Sequence, residues 1–392
     1  MTDFNRPNTQ FPGSQTQSSQ PEGSQTQGSQ TQGSHSAGAP HAAGQSVTSP
    51  YAAMALETLG TPECLMIGGK PLFGQFDGPV ASLGLDSFSA TTDMDKPASW
   101  PHRYFGYKQF EFIAIHTPAY LIGIALADIR YLGSGFCYVF DKGRNRLHET
   151  HWLRPPGSYA LGPSPVSATS EMAGVRIHRH DGGWAVALNL LLDGLPLVAD
   201  ITLEALPLSL PMAMCSPTGY SGWTYTQKHN ALSVKGTLCV NHEPQPLSRA
   251  LAGYDFSAGF MRRETSWRWA SINAMVDGRR LGMNLAAGVN ETGSSENVLW
   301  LDGVRRHLGP VHFDFNRSAA NGGSWRIWSE RGELDLTFTP RGCRSEKLNL
   351  WLLKSNFRQY LGHFSGWVRE LDGSQLRLEA VWGLTEDHFA KW

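Results

Sequence analysis

The chain lacks most of the features that announce a mechanism. Its five cysteines, Cys64, Cys137, Cys215, Cys239 and Cys343, are scattered and never form a CxxC pair. An odd number at such spacing fits neither a disulfide framework nor a structural zinc site, and buried free thiols are the simpler reading. An excess of charge is missing as well: 33 Lys and Arg oppose 34 Asp and Glu, for a formal net charge of -1. Without a basic field, neither nucleic acid nor an anionic membrane is an expected partner. Long hydrophobic runs are absent. The most apolar stretch, Ala119 to Leu132, contains Asp128 and Arg130 and falls short of the ~20 residues a membrane helix needs, so no transmembrane segment is expected. The opening residues, MTDFNRPNT, lack the positive start and apolar run of a secretory leader, and a cytoplasmic location is expected.

Catalytic and cofactor motifs are also missing. Gly133-Ser134-Gly135 and Tyr220-Ser221-Gly222 come nearest to the GxSxG elbow of serine hydrolases without satisfying it. Neither GxGxxG nor GxxxxGK[ST] occurs, so no nucleotide cofactor is expected. Among the histidines, His178 and His180 would share a strand face, and His148 and His151 lie three apart. A zinc site needs three or four converging ligands, and these spacings offer two at a time; no metal is expected.

What the chain does have is glycine, tryptophan and alternation. With 42 Gly, 13 Trp, 41% hydrophobic and 17% charged residues, it suits a turn-rich, aromatic-rich β protein. Residues 1–50 carry a near-repeat, GSQTQSSQPE, GSQTQGSQTQ and GSHS. Such a tail cannot offset its ordering entropy by burial and is expected to be disordered. Beyond it, Asp-Gly pairs at Asp77, Asp181, Asp193, Asp277, Asp302 and Asp372 supply the positive φ that tight hairpins need. Period-two patterning flanks several of them, as in Trp325 and Ile327, then Leu334, Leu336 and Phe338. Short helices are expected only at Ala52 to Leu59 and at Glu386 to Lys391. The fold class is therefore all-β, and two antiparallel β units in tandem fit the length best. The proline-rich Leu206 to Thr218 is the expected crossing, giving a first unit over residues 51–210 and a second over 211–392.

Polar and aromatic residues concentrate between Tyr220 and His312. YSGWTYTQK places Tyr225 and Lys228 before an alternating strand, with Lys228 either a snorkelling surface residue or a buried cation of lowered pKa. YDFSAGFMRRETSWRWA sets Asp255, Arg262 and Arg263 ahead of Trp267 and Trp269 on one strand face. Those indoles either pack in a core or line a ligand cavity. MNLAAGVNETGSSENVLW carries Asn284, Glu291, Glu296 and Asn297 beside a Gly- and Ser-rich loop. Glu296 followed by Asn297 reads either as a general acid or base with its orienting amide, or as decoration at a strand end.

The order YTQK, DFSAGFMRRETSWRWA, GMNLAAG, ENVLWLDG, WRIWSERGELDLTFTP, FRQYLGHFSGWV and EDHFAKW resembles the family of domain of unknown function 2804. Upstream, FGQFDGP at Phe73 to Pro79 and RYFGYKQFEFIAIHTPAYLIGIALADIRYLG resemble its N-terminal half. The resemblance covers everything after the tail. It extends to the architecture of hydroxyneurosporene synthase-like proteins, whose two lipocalin-like, or calycin, barrels occur in hydratases, cyclases and lipid-binding factors. The resemblance implies tandem barrels but brings no catalytic residues. The functional expectation is a cavity binding a hydrophobic or amphipathic small molecule, lipid or isoprenoid. Trp267, Trp269, Arg263, Asn284 and Asn297 would contact it. The competing expectation is a cofactor-independent hydratase, isomerase or cyclase in the same cavity. There Asp255 or Glu296 would be the proton donor, and Lys228 or Tyr225 would stabilise charge. A scaffold whose tail recruits partners is the third.

Overall fold

Alternation becomes antiparallel sheet almost throughout. The computed structural model describes residues 58–392, except for Asp181, Glu291, Thr292, 320–322, 351–352 and Trp392. The 1–50 tail, most of the expected Ala52 to Leu59 helix and the first residue of the Asp181-Gly182 pair lie outside the described residues.

The main path of the first sheet starts at Arg146–Arg154 and runs through Gly133–Asp141 and Tyr120–Asp128 to Tyr107–His116. It crosses to Leu251–Phe260 and continues through Gly222–Val240, Leu195–Glu204, Gly183–Leu192, Val175–His180 and Ala168–Met172 to Ala160–Leu161. Two meanders are thus joined where the last strand lies beside the first long one, and the outer edges are consecutive in the chain. The second sheet repeats this plan. It runs from Val304–His307 through Val298–Leu301 and Arg279–Ala287 to Glu264–Val276, then crosses to Gln375–Lys391. From there it passes Leu353–Arg369, Leu334–Leu350 and Trp325–Ser329 to reach Val311–Asp314. Each sheet is a curled antiparallel half-barrel, and the two follow one another in the chain as the tandem β units that were expected.

The sheets change over at Met261–Arg263, between the strands Leu251–Phe260 and Glu264–Val276. The proline-rich segment expected to be the crossing instead lies inside the first sheet: Leu195–Glu204 before it and Met212–Thr218 at its end both pair with Gly222–Val240. Pro207 and Pro211 fall in the connection. Pro217 sits where its strand has only Gly222–Val240 beside it, because the opposite edge is paired at Ala213 to Cys215 alone. Proline is tolerated at such an edge. The helix expected at Glu386 to Lys391 is also corrected. Those residues end a strand paired on both sides, and a short mixed window cannot tell helix from strand. A helix does form at Trp100–Gly106, with Pro101 in its first turn, where a missing N–H costs nothing. Three Asp-Gly pairs, at Asp193, Asp277 and Asp302, have positive φ at both residues, as tight type I′ hairpins require.

Both faces of the central strands are buried. On Tyr107–His116, Ile113 and Ile115 enter the core of the first half-barrel, while Phe112 and Ala114 face the second sheet. Runs such as Phe110 to His116 therefore show no alternation. Between the sheets, Phe112, Tyr138 and Phe140 pack against Trp269, Leu361 and Leu384. Each such side chain contributes about 1.5–3 kcal/mol when fully buried.

A polar lock adds direction to this contact. The Gly222–Val240 strand shifts register between His229 and Leu232, with Ala231 at a φ of 58°. There the Asn230 amide donates to Ser271 Oγ and Met283 O, each at 2.8 Å, and the Ala231 N–H donates to Asn273 Oδ1 at 2.8 Å. Gly282 permits the approach, because a Cβ there would lie 2.9 Å from the Asn230 carbonyl carbon. Among the described residues no helix is long and apolar enough to cross a membrane.

Candidate functional site

A cavity of about 240 Å³ lies between the two sheets, walled by residues such as Phe110, Phe112, Phe136, Trp267, Trp269 and Phe357. Strand register builds its polar end. Lys228 stands directly opposite Asp255 on the neighbouring strand, and Asp255 directly opposite Phe112. Cross-strand partners of this kind are close enough for side chains to meet. The Lys228 ammonium forms an ion pair with Asp255 Oδ2 and lies 3.5 Å from Glu296 Oε2. Glu296 arrives from the loop before Val298–Leu301, which is held where the Gln75 amide donates to Ser295 O at 2.8 Å.

All three groups are buried. Burial pushes the Lys228 ammonium down, but Asp255 and Glu296 outweigh it and hold its pKa above the ordinary lysine value. Both carboxyls are raised by burial, an effect that Lys228 only partly offsets. One cation cannot neutralise two carboxylates in so dry a place, so the pair retains a proton more readily than an exposed acid would. Asp255 Oδ1 is buried and has no hydrogen-bond partner among the described residues.

Of the expected site residues, Lys228, Asp255, Glu296, Trp267 and Trp269 converge on this cavity. Tyr225 does not. It lies three positions from Lys228 on a period-two strand, so it points into the core of the first half-barrel. There its hydroxyl donates to Gln227 Oε1 at 3.1 Å and accepts the Val80 N–H. Arg263 is exposed in the bend between the sheets and is not part of the lining. Asn284 and Asn297 act behind the wall. Trp269 Nε1–H donates to Asn284 Oδ1 at 2.7 Å, and the Asn284 amide donates to Glu296 O at 2.9 Å, tying the indole to the acid's own backbone. Asn297 accepts the Ala286 N–H at 2.7 Å and donates to Gly309 O at 2.9 Å.

Sequence reasoning missed Glu386, His388 and Arg344, which also line the cavity. Glu386 is opposite Trp269 in register; it accepts the Trp267 indole N–H at 2.8 Å and the Gln359 amide at 3.0 Å. The buried Arg344 guanidinium lies 3.9 Å from the Phe136 ring centre and is neutralised by Glu149 and Glu346. The alternation of Leu384, Glu386, His388 and Ala390 was the available signal for the first two.

Elsewhere, His178 and His180 share an exposed face of Val175–His180 with ring centres 6.0 Å apart. Among the described residues, no three or more His, Cys, Asp or Glu side chains are grouped to hold a metal ion.

A family model described as Domain of unknown function (DUF2804) matches residues 73–392. Among solved structures, the chain is similar to a Nitrosomonas europaea protein described as an AttH, at 16% identity and a TM-score of 0.45, covering 76% of this chain and 98% of that one. It is similar to kievitone hydratase from Nectria haematococca at 12% identity and a TM-score of 0.42, covering 71% of this chain and 88% of that one. For CghA the identity is 10% and the TM-score 0.38, covering 72% of this chain and 87% of that one. No curated protein sequence gives a significant match.

Proposed function

The chain belongs to the DUF2804 family, and from the cavity between its sheets we propose that it binds a hydrophobic or amphipathic small molecule of lipid or isoprenoid kind. The observation that carries this reading is the composition of the walls. Six aromatic side chains surround a space that ends at three buried ionisable groups, the pattern of a ligand site: apolar surface with a few polar groups that fix orientation. The cavity volume of about 240 Å³ favours a small ligand, or one that protrudes. All five cysteines are free thiols, which suits a reducing, cytoplasmic setting. The test is organic extraction of the freshly purified protein followed by mass spectrometry against a sham purification. A stoichiometric lipid or isoprenoid is expected; an extract indistinguishable from the sham counts against the reading.

A second reading, cofactor-independent proton transfer to the same ligand, is favoured by the raised carboxyl pKa values of Asp255 and Glu296. A carboxyl whose pKa is raised by burial gives up its proton less readily than an exposed one and can donate it to a double bond or a leaving hydroxyl, and Lys228 would then stabilise the carboxylate left behind. The face of Trp269 would lie against a developing cation. Hydration, isomerisation and cyclisation all begin with such a step. Asp255→Asn should keep binding and lose turnover of the extracted compound. Unchanged turnover removes Asp255 from the chemistry.

A further inference from the structure

The cavity has a direction. Past Phe112 and Trp269 it is closed by the packed layer of Ala114, Leu121, Phe140, Leu361 and Leu384. It opens toward the strand ends around Lys108, Leu153 and Lys354, where Leu153 and Lys354 are exposed. Its charges are sorted along the same axis. Asp255 and Glu296 pair with Lys228 at the inner end and Glu386 acts on Asp255 from the second sheet, whereas Lys108, Lys354 and Lys391 line the outer one; Arg344, also in the wall, is neutralised by Glu149 and Glu346. Lys391 is paired with Glu264.

Lys108 is the unusual member of this group. It is 4% exposed, and its ammonium donates to two backbone carbonyls, Phe105 O at 2.6 Å and Ile129 O at 3.0 Å. An ammonium has three donors, and carbonyls bring no counter-charge. The Tyr131 ring centre lies 5.0 Å from the ammonium, and Asp128, the carboxylate that acts on it, is already engaged by Arg130 at 3.3 Å and by the Tyr159 hydroxyl at 2.9 Å. Burial accordingly pushes Lys108 down to about 8. It stands four positions from Phe112 on the same strand, a span of about 13 Å.

We propose that the ligand is an anionic amphiphile that enters apolar end first, its carboxylate or phosphate held at the outer end by the Lys108 ammonium, with Lys354 and Lys391 beside it. This rests on the reading of the cavity as a site for an apolar ligand. The orientation follows from the charges, since an acid group at the inner end would meet the Asp255, Glu296 and Glu386 carboxyls around a lysine already paired with two of them, whereas at the outer end it would give Lys108 a direct anionic partner, which no ion pair among the described residues supplies. The inner acids are then left facing the apolar body.

The test is calorimetric titration of the full chain with decanoate, decyl phosphate and 1-decanol, which share an apolar tail. The two acids should bind at least about tenfold tighter than the alcohol, the effect of a hydrogen bond to a buried charge. The tighter of the two identifies the head group. Lys108→Met should bring the acids to the level of decanol and leave decanol unchanged. If that variant does not fold, Lys354→Met combined with Lys391→Met carries the test, with an expected loss for the acids of about threefold. Equal affinities of acids and alcohol for the unaltered chain overturn the inference while leaving the apolar cavity standing. So does an acid preference that survives the substitutions. Failure of all three probes to bind removes the cavity reading and this inference with it.

Discussion

Lys228→Met tests the electrostatics of the site directly. Methionine keeps the length and most of the volume of the side chain but leaves Asp255 and Glu296 buried without their cation. Removing one partner of a buried ion pair costs about 3–5 kcal/mol, because the remaining charge has lost both water and partner. The two carboxyls can limit that cost by taking up protons, and this gives the prediction its sign. Their folded pKa values lie above the ordinary 3.8 and 4.5 and rise further once Lys228 is gone. Between the ordinary and the folded values the native state binds more protons than the unfolded chain, so stability falls as pH rises through that window. Lys228 itself contributes fully below its ordinary 10.5 and loses that contribution only as pH passes its raised folded value. The loss caused by Lys228→Met should therefore be largest near neutrality and smaller near about pH 5. Urea unfolding followed by tryptophan fluorescence at about pH 5 and about pH 7.5, with the m-value unchanged, measures it. A loss below about 1 kcal/mol at both values, as for a solvated pair, refutes the reasoning.

The remaining predictions use the same molecule. Trp267 lines the cavity half-buried, its indole on Glu386 and its ring 4.3 Å from that of His388. Trp267→Ala should weaken ligand binding by about tenfold or more, yet cost less stability than the roughly 3–5 kcal/mol of a fully buried tryptophan. Lost stability with unchanged affinity assigns it to the core. His229 is buried against Trp300 with its Nε2 3.0 Å from Ser209 Oγ, and burial lowers its pKa from 6.5 to about 3. Between those values the unfolded chain binds the extra proton, so His229 lowers stability on acidification by up to about 1.4 kcal/mol per pH unit, and the buried His116 and half-buried His307, lowered to about 3 and about 4, act in the same direction. His229→Gln should reduce the acid slope by its own share while His116 and His307 keep theirs, and an identical slope in both chains would discard His229 as a source. Finally, we propose that a division of the chain into two β units follows the sheets and runs at about residue 261, and that the units unfold together, because separation would expose Phe112, Tyr138 and Phe140. Calorimetric and van't Hoff enthalpies should agree; two resolved transitions contradict it.

The fold was legible wherever one face of a strand meets solvent. Trp325 to Phe338 alternates because its polar partners are exposed, and the Asp-Gly pairs at Asp193, Asp277 and Asp302 mark hairpins through a backbone requirement that glycine meets locally. The sheet changeover was not legible. Met261 to Arg263 sits within an uninterrupted aromatic and charged run, with neither the proline nor the glycine cluster that usually marks a boundary, while the prolines of Leu206 to Thr218 belong to a sheet edge. Nor does the sequence repeat, although the topology does. In each sheet the first and last long strands pair across more than a hundred residues, Tyr107–His116 with Leu251–Phe260 and Glu264–Val276 with Gln375–Lys391. Long-range pairing needs only matched faces, and many sequences supply those.

The site was half legible for a related reason. Lys228, Asp255 and Glu296 could be nominated as chemistry-bearing residues, but their convergence depends on register and on a loop, neither of which is encoded in spacing. Tyr225 illustrates the sensitivity: near Lys228 in sequence, it faces the opposite side of the sheet by parity alone. The bulge at Asn230 reverses that parity, so that Leu232 and Val234 enter the core that Trp223 and Tyr225 enter before it. Physical cost is a better guide than spacing. Apolar residues could fill the space between two apolar sheets at no electrostatic penalty, and replacing a buried ion pair with them is often neutral or stabilising. A lysine and two carboxyls kept there, one carboxyl oxygen without a partner among the described residues, represent stability forgone at the end of an aromatic cavity. Perturbed ionisable groups in such a place mark a working site more often than a structural one would require, and that inference points to the same three residues as the geometry.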